Sequence, residues 1–191
     1  MTELKQSFTI NHPRNRVWMM FANLPKVATC MPGASLSGPP EDGHFVGRIS
    51  IKLGPIHTDF AGEGDVELNA NNFSGVLRGS GLDKNHSSRA HGEISYGLTE
   101  ERVGSATRVD VLVAYALSGT LAQFTRGGIV EALAGQIVET FAANLETALE
   151  SPDIGRSPPP NAAGELDMGS LVFSAVWRRI KLICSRIFSR S

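Results

Sequence analysis

The sequence predicts an α+β domain in which a curved antiparallel sheet wraps around one long C-terminal helix, with a further amphipathic helix tethered behind it. Three observations predict this. Between residues 45 and 117 five runs alternate apolar and polar side chains with a period of two, and turn residues separate them. A helical stripe of Leu133, Ile137, Phe141, Leu145 and Ala148 follows and has no strand after it. Glycines recur on one parity of the strands, where they let a long sheet bend.

The elements follow in order. Leu4, Phe8 and Ile10 mark a first strand, and Asn11-His12-Pro13 opens a short helix, Arg14 to Phe21, with proline near its first turn. Leu24-Pro25 and Met31-Pro32-Gly33 bracket a second short helix or turn. Strands are expected at about Phe45–Leu53, Ile56–Leu68, Phe73–Leu82, Arg89–Leu98 and Thr107–Leu117. Their breaks, Gly54-Pro55, Asn69 to Asn72, Asp83-Lys84-Asn85 and Val103-Gly104, read as hairpin turns. The closing helix starts near Leu121 or Ile129 and runs to Glu150, with Gly127-Gly128 breaking it near its start. Residues 1–150 thus form one domain.

Residues 151–164 hold Pro152, Pro158, Pro159 and Pro160 and little that packs, so they read as a semi-rigid linker of roughly 40 Å maximum reach at about 3.1 Å per residue. Residues 165–191 carry a cationic amphipathic pattern. At 100° per residue, Phe173, Val176, Trp177, Ile183, Cys184 and Ile187 fall within about 60° of Ile180, with Phe188 just beyond, while Arg178, Arg179, Lys181, Arg186 and Arg190 flank or oppose the stripe. Such a helix suits the plane of an anionic membrane. Its alternative is to pack on the domain by the same stripe.

Charge is divided accordingly. From Glu165 onward five basic residues meet two acidic ones, giving the tail +3 and the remainder −4 within a net charge of −1. An acidic body argues against nucleic acid as a partner. The N-terminus has no apolar signal core, and the tail is too interrupted to span a bilayer. Two cysteines, Cys30 and Cys184, one in the body and one in the tail, do not resemble a disulfide framework. The expected location is the cytoplasmic face of the inner membrane, with the protein attached peripherally.

On the strands the apolar parity includes Phe45, Ile49, Ile51, Phe60, Val66, Leu77, Ile94, Leu98, Val109, Val113 and Leu117, with Tyr96 and Tyr115. Gly47, Gly62, Gly64, Gly75, Gly79, Gly81 and Gly92 share it. Curvature accounts for some of these glycines. The others, by withholding side chains, leave a cavity that an apolar ligand would fill.

No catalytic or metal centre is expected. The five histidines lack metal-ligand spacing. Ser80 lies between glycines but without the full Gly-x-Ser-x-Gly elbow, and Gly62-Glu63-Gly64 is not a phosphate loop. Glu63, Asp65 and Glu67 alternate opposite the apolar parity, as on a solvated face.

Several segments together carry a family resemblance. They are Ile10-x-x-Pro13-x-x-x-Val17-Trp18, Pro32-Gly33-Ala34, Gly47 to Ile56, Phe60-x-Gly62, Gly79-x-Gly81-x-Asp83 and Gly119-x-Leu121-Ala122-Gln123-Phe124-x-Arg126-Gly127-Gly128-Ile129. Over residues 3–150 the chain resembles the carbon monoxide dehydrogenase CoxG family, within the START/Bet v1-like (SRPBCC) helix-grip superfamily. Thr125 stands where that family commonly has glycine.

The resemblance implies a helix-grip fold, no catalysis, and a role beside molybdenum-containing carbon monoxide dehydrogenases or related hydroxylases. Those enzymes pass electrons to respiratory quinones, and members with a C-terminal tail are associated with recruiting the dehydrogenase to the inner membrane. The ligand expected in the cavity is therefore menaquinone or ubiquinone, carried without covalent attachment. Phe60, Gly62, Phe124, Ile129, Leu133, Ile137 and Phe141 are its expected lining, with Met20 and Phe21 at the entrance. Two alternatives remain: a recruitment adaptor without a ligand, and an enzyme of the polyketide-cyclase type.

Overall fold

The computed structural model describes residues 1–53, 56–125 and 128–151. Its elements are β1 (Thr2–Ile10), α1 (Arg14–Phe21), α2 (Leu24–Cys30), β2 (Ala34–Leu36), β3 (His44–Leu53), β4 (Ile56–Asn69), β5 (Ser74–Asp83), β6 (Ser88–Glu101), β7 (Ala106–Ser118), a 3-10 segment (Gly119–Thr125) and α3 (Ile129–Glu150). The strands form one seven-stranded antiparallel sheet in the order β1-β7-β6-β5-β4-β3-β2. Hairpins join β2 through β7 in sequence. The helical pair α1-α2 carries the chain from β1, at one edge, to β2 at the other.

Local chemistry sets the helical boundaries. Pro13, with φ −58°, precedes α1, and its carbonyl accepts from the Arg16 and Val17 amides at 2.9 and 3.2 Å. Val17 and Phe21, one helical turn apart, face the core. Asn23 then caps α2 by accepting from the Lys26 amide at 3.1 Å.

The C-terminal half of α3 is clamped. Glu146 accepts from the Asn11 backbone and side-chain nitrogens at 3.0 and 2.9 Å, and Asn144 donates to the Cys30 carbonyl at 2.9 Å. Arg16 donates to the Leu149 carbonyl, one of the end groups the helix cannot satisfy itself. Phe141, Leu145 and Leu149 pack here with Ile10, Val17, Phe21, Leu98 and Val109. Phe141 meets Phe8 and Phe21 edge-on at 5.9 and 6.0 Å.

The structure corrects some of the expected details. The buried stripe of α3 continues from Leu145 to Leu149, four residues on, rather than to Ala148, and Ile137 is half-buried. Leu121 belongs to the 3-10 segment, and α3 begins at Ile129 after Gly128, whose φ of 74° is left-handed. The three-residue strand β2, paired with β3, is too short to show a periodicity of its own. The Gly54-Pro55 turn, Gly127, the linker after Ser151 and the tail residues from Phe173 to Arg190 lie outside the described residues.

Candidate functional site: an apolar cleft over a glycine floor

Register decides which side chains share a face. Phe45 pairs with Gly64, Gly64 with Gly79, Gly79 with Gly92 and Gly92 with Tyr115. One row thus crosses from β3 to β7 with three glycines in succession. The adjacent row runs Gly47, Gly62, Gly81, Ala90, Leu117. These rows carry the apolar parity read from sequence, and Tyr96 joins it by pairing with Gly75 and Val111.

The glycines serve two purposes. A β-carbon on Gly62 would collide with the Ser80 carbonyl and, at 2.7 Å, with the Gly81 α-carbon. The Phe45 ring covers Gly64, and the Tyr96 ring covers Gly75. These positions permit close packing at the bend. Gly79 and Gly92 differ. A β-carbon at Gly79 would meet only backbone atoms, the nearest at 3.3 Å, and one at Gly92 only the Ala114 carbonyl oxygen at 3.4 Å. Among the described residues, no side chain comes within 4 Å of either β-carbon position.

Helix α3 runs closest to the β1 edge of the sheet, with α2, α1 and the 3-10 segment as its other near neighbours, and its C-terminal half packs with Leu98 of β6 and Val109 of β7. Phe45, Ile49, Ile51, Val66, Leu77, Ile94, Val113 and Leu117 on the inner face remain half-buried. At one end, α1 closes the cleft through Trp18 against Phe73 (5.8 Å) and Phe21 against Tyr96 (5.0 Å). Beside this closure lies an open pocket of about 530 Å³, within the range of small-molecule sites, lined by Phe21, Leu24, Pro25, Pro40, Val66 and Leu68 among others.

The expected lining residues fall into three groups. Phe60 and Gly62 lie on the inner face of β4, with Phe60 buried. Leu133 is buried on the N-terminal half of α3, Ile137 and Phe124 are half-buried, and Ile129 is 39% exposed. Phe141 and Phe21 belong to the packed core, which Met20 flanks, and Phe21 also reaches the open pocket. Leu24, Pro40 and Gly43 at that pocket are not marked by the sequence pattern. Pro40 and Gly43 come from the loop between β2 and β3 and Leu24 from the first position of the short helix α2, where no periodicity gives a facing direction. Val66 and Leu68 are already legible as inward-facing.

Polar groups are accounted for elsewhere. Glu63, Asp65, Glu67 and Ser80 are exposed on the outer face. Arg78 there bridges Glu67 and Glu93, each at 2.8 Å. His44 sits 3.0 Å from Asp65, and His86 sits 2.8 Å from the buried Asp83. No group of three or more His, Cys, Asp or Glu suited to a metal ion occurs among the described residues. The Cys30 thiol is buried, and burial pushes its pKa up, away from the thiolate form.

A curved sheet, a clamped closing helix and an apolar cleft are the geometry against which known proteins can be compared. The model of the family described as the CoxG subunit of carbon monoxide dehydrogenase matches residues 7–150. The chain belongs to the CoxG family. The match spans β1 to the end of α3, so the cleft lies wholly within the CoxG region. The family is one of accessory subunits of carbon monoxide dehydrogenase.

Solved structures agree on the helix-grip fold of this CoxG domain. A conserved protein from Geobacillus kaustophilus superposes with a TM-score of 0.67 at 13% identity, covering 78% of this chain and 95% of its own. A protein from Thermus thermophilus gives 0.58 at 19% identity, covering 78% and 97%. An aromatase/cyclase from a Streptomyces species gives 0.55 at 13% identity, covering 86% and 99%. A comparison with curated proteins finds no match.

Proposed function

We propose that this CoxG protein is a non-enzymatic accessory of a molybdenum carbon monoxide dehydrogenase-type hydroxylase. It holds a respiratory quinone, menaquinone or ubiquinone, in the cleft and presents it to the dehydrogenase. The carrying observation is the inner apolar face, left half-buried above Gly79 and Gly92. Exposed apolar surface inside a fold is costly at about 25 cal/mol per Å², and an apolar ligand removes that cost. A quinone also fits the family's enzymatic partner, whose electrons need an acceptor.

The tail completes the proposal. Five basic residues, each worth about 1 kcal/mol near an anionic surface, together with the stripe from Phe173 to Phe188, support reversible attachment to the cytoplasmic face of the inner membrane. The linker then keeps the cleft within a few tens of ångströms of the bilayer. The cyclase reading is weaker, because the inner face offers few polar groups to act on a polyketide.

Mass spectrometry under native conditions on the protein purified from its own cells tests the carrier function. The expected result is one quinone per chain. No co-purifying quinone, and none taken up when quinone is added, would leave the recruitment adaptor as the better reading.

A further inference from the structure

Among the described residues the buried polar side chains are satisfied, with two exceptions. Thr58 donates to the Ile51 carbonyl at 3.1 Å, and Thr107 to the His12 carbonyl at 2.7 Å. Asp83 accepts from His86, Asn85 and Asp59, and Ser88 accepts from the Leu121 amide at 3.0 Å. Two buried side-chain polar atoms among the described residues have no partner, Arg14 Nε and the Tyr115 hydroxyl. Arg14 needs no further account, because its guanidinium already stacks on Phe73 at 4.1 Å and pairs with Glu100 at 3.8 Å.

Tyr115 does need one. It is 8% exposed, and leaving a buried hydroxyl unpaired is as expensive as losing a hydrogen bond. Burial raises its pKa and Glu131 in the first turn of α3 adds to this; the Thr2 side chain, on the strand beside it, lies close enough to lower the pKa in the manner of a weak hydrogen bond but does not reach full hydrogen-bond geometry. Its position is specific. Tyr115 follows Gly92 in the row that begins at Phe45 and passes through Gly64 and Gly79, and its other cross-strand neighbour is Thr2 on β1. On its β6 side lie Gly92 and then Gly79, where no side chain of the described residues comes within 4 Å of a β-carbon position. From β4, which carries Val66 of the open pocket, three strand spacings of about 4.8 Å place β7 about 14 Å across the sheet.

We infer that Tyr115 is the specificity-determining donor of the cleft: its hydroxyl hydrogen-bonds a carbonyl oxygen of the ligand's polar head, while the apolar chain runs over Gly92 and Gly79 toward the pocket at Val66 and Leu68. A neutral phenol in apolar surroundings suits an uncharged acceptor. It gives no advantage to a hydrocarbon of the same length. This assignment rests on the quinone reading and adds an orientation and a recognition rule to it.

The test uses the full chain, menaquinone as one probe and squalene, an isoprenoid hydrocarbon without carbonyls, as the other. Tyr115→Phe keeps the ring and removes only the hydroxyl, and Tyr96→Phe serves as control. Tyr115→Phe is expected to weaken menaquinone binding about 5- to 30-fold, leave squalene unchanged and move the infrared carbonyl band of bound menaquinone upward. Because the lost hydroxyl is unpaired in the free protein, the variant should unfold at the same denaturant concentration or a higher one. Equal menaquinone affinity in both proteins, or a wild-type carbonyl band at its apolar-solvent position, would overturn the assignment while leaving the carrier function intact. A wild-type protein that binds neither probe would overturn both. The infrared measurement on the wild type decides the matter even if the variant fails to fold.

Discussion

Gly79 on β5 lies directly opposite Gly92 on β6, on the face turned toward α3, and no side chain among the described residues reaches within 4 Å of where either β-carbon would stand. Two small residues facing each other in the middle of a sheet leave a gap that neighbours normally fill. Here the gap is the floor of the cleft.

Filling that floor should separate binding from folding. Gly92→Leu adds a side chain whose β-carbon makes only an ordinary contact, with the Ala114 carbonyl oxygen at 3.4 Å, and relieves a glycine of its unfolded-state entropy, so stability should change by less than about 1 kcal/mol. Quinone binding should fall at least tenfold. Gly62→Ala, which drives a methyl into the Ser80 carbonyl, should instead cost about 2–4 kcal/mol. Denaturant unfolding with parallel quinone titrations checks both. Equal loss of stability in the two variants would mean that the space above Gly92 is not free.

The two halves of α3 should respond differently to truncation. Leu145 is fully buried in the clamped half, and Leu145→Ala should cost about 2–5 kcal/mol. Ile129, 39% exposed at the open half, should cost less than about 1 kcal/mol as Ile129→Ala. Urea midpoints and slopes measure the difference. Equal costs would indicate that the N-terminal half packs as tightly as the other.

Asp83 gives the domain an acid-sensitive point. Burial by itself raises the pKa of its carboxyl. Hydrogen bonds from the His86 ring and from the His86, Asp59 and Asn85 amides outweigh burial and bring the pKa below the ordinary carboxylate value. A folded-state pKa below the unfolded value of about 3.9 stabilises the fold fully above that value, and the contribution disappears as pH falls through the folded pKa. Unfolding free energies measured from pH 7 down to pH 3 should therefore decline more steeply for the wild type than for Asp83→Asn. The variant should already be about 1–3 kcal/mol less stable at neutral pH. Parallel curves would show that Asp83 is not the acid-sensitive group.

Strand positions are legible in the sequence because each run of inward Ile, Leu and Val is interrupted by recognisable turns. The expected strand Ile56–Leu68 differs by one residue from β4 (Ile56–Asn69). Parity also picks out the glycines, but it cannot separate Gly64, covered by the Phe45 ring, from Gly92, whose β-carbon position meets no side chain of the described residues within 4 Å. That distinction depends on register and on rotamers across three strands. Leu149 gives way to Ala148 in the pattern because adjacent apolar residues at a helix end leave the phase of the stripe ambiguous. Nor can the pattern tell that Phe141 serves the core while Leu133, on the same stripe, belongs to the half of α3 near the cleft.

Removing residues 165–191 tests where the protein works. The full chain should sediment with vesicles containing anionic lipid, less so as salt rises, and in fractionated cells it should follow the membrane. The shortened chain should remain in the supernatant. An unchanged membrane fraction would show that the tail is not the anchor, and it would favour packing of its apolar stripe on the domain.

The carrier function depends most on what fills the space over Gly79 and Gly92, and a crystal structure of the protein saturated with menaquinone measures that directly. Continuous ligand density is expected above these two glycines, with the quinone ring beside Tyr115 and the chain leaving past Val66 and Leu68. A saturated crystal with that space empty, or with the quinone bound elsewhere on the molecule, would contradict the carrier function proposed for this cleft.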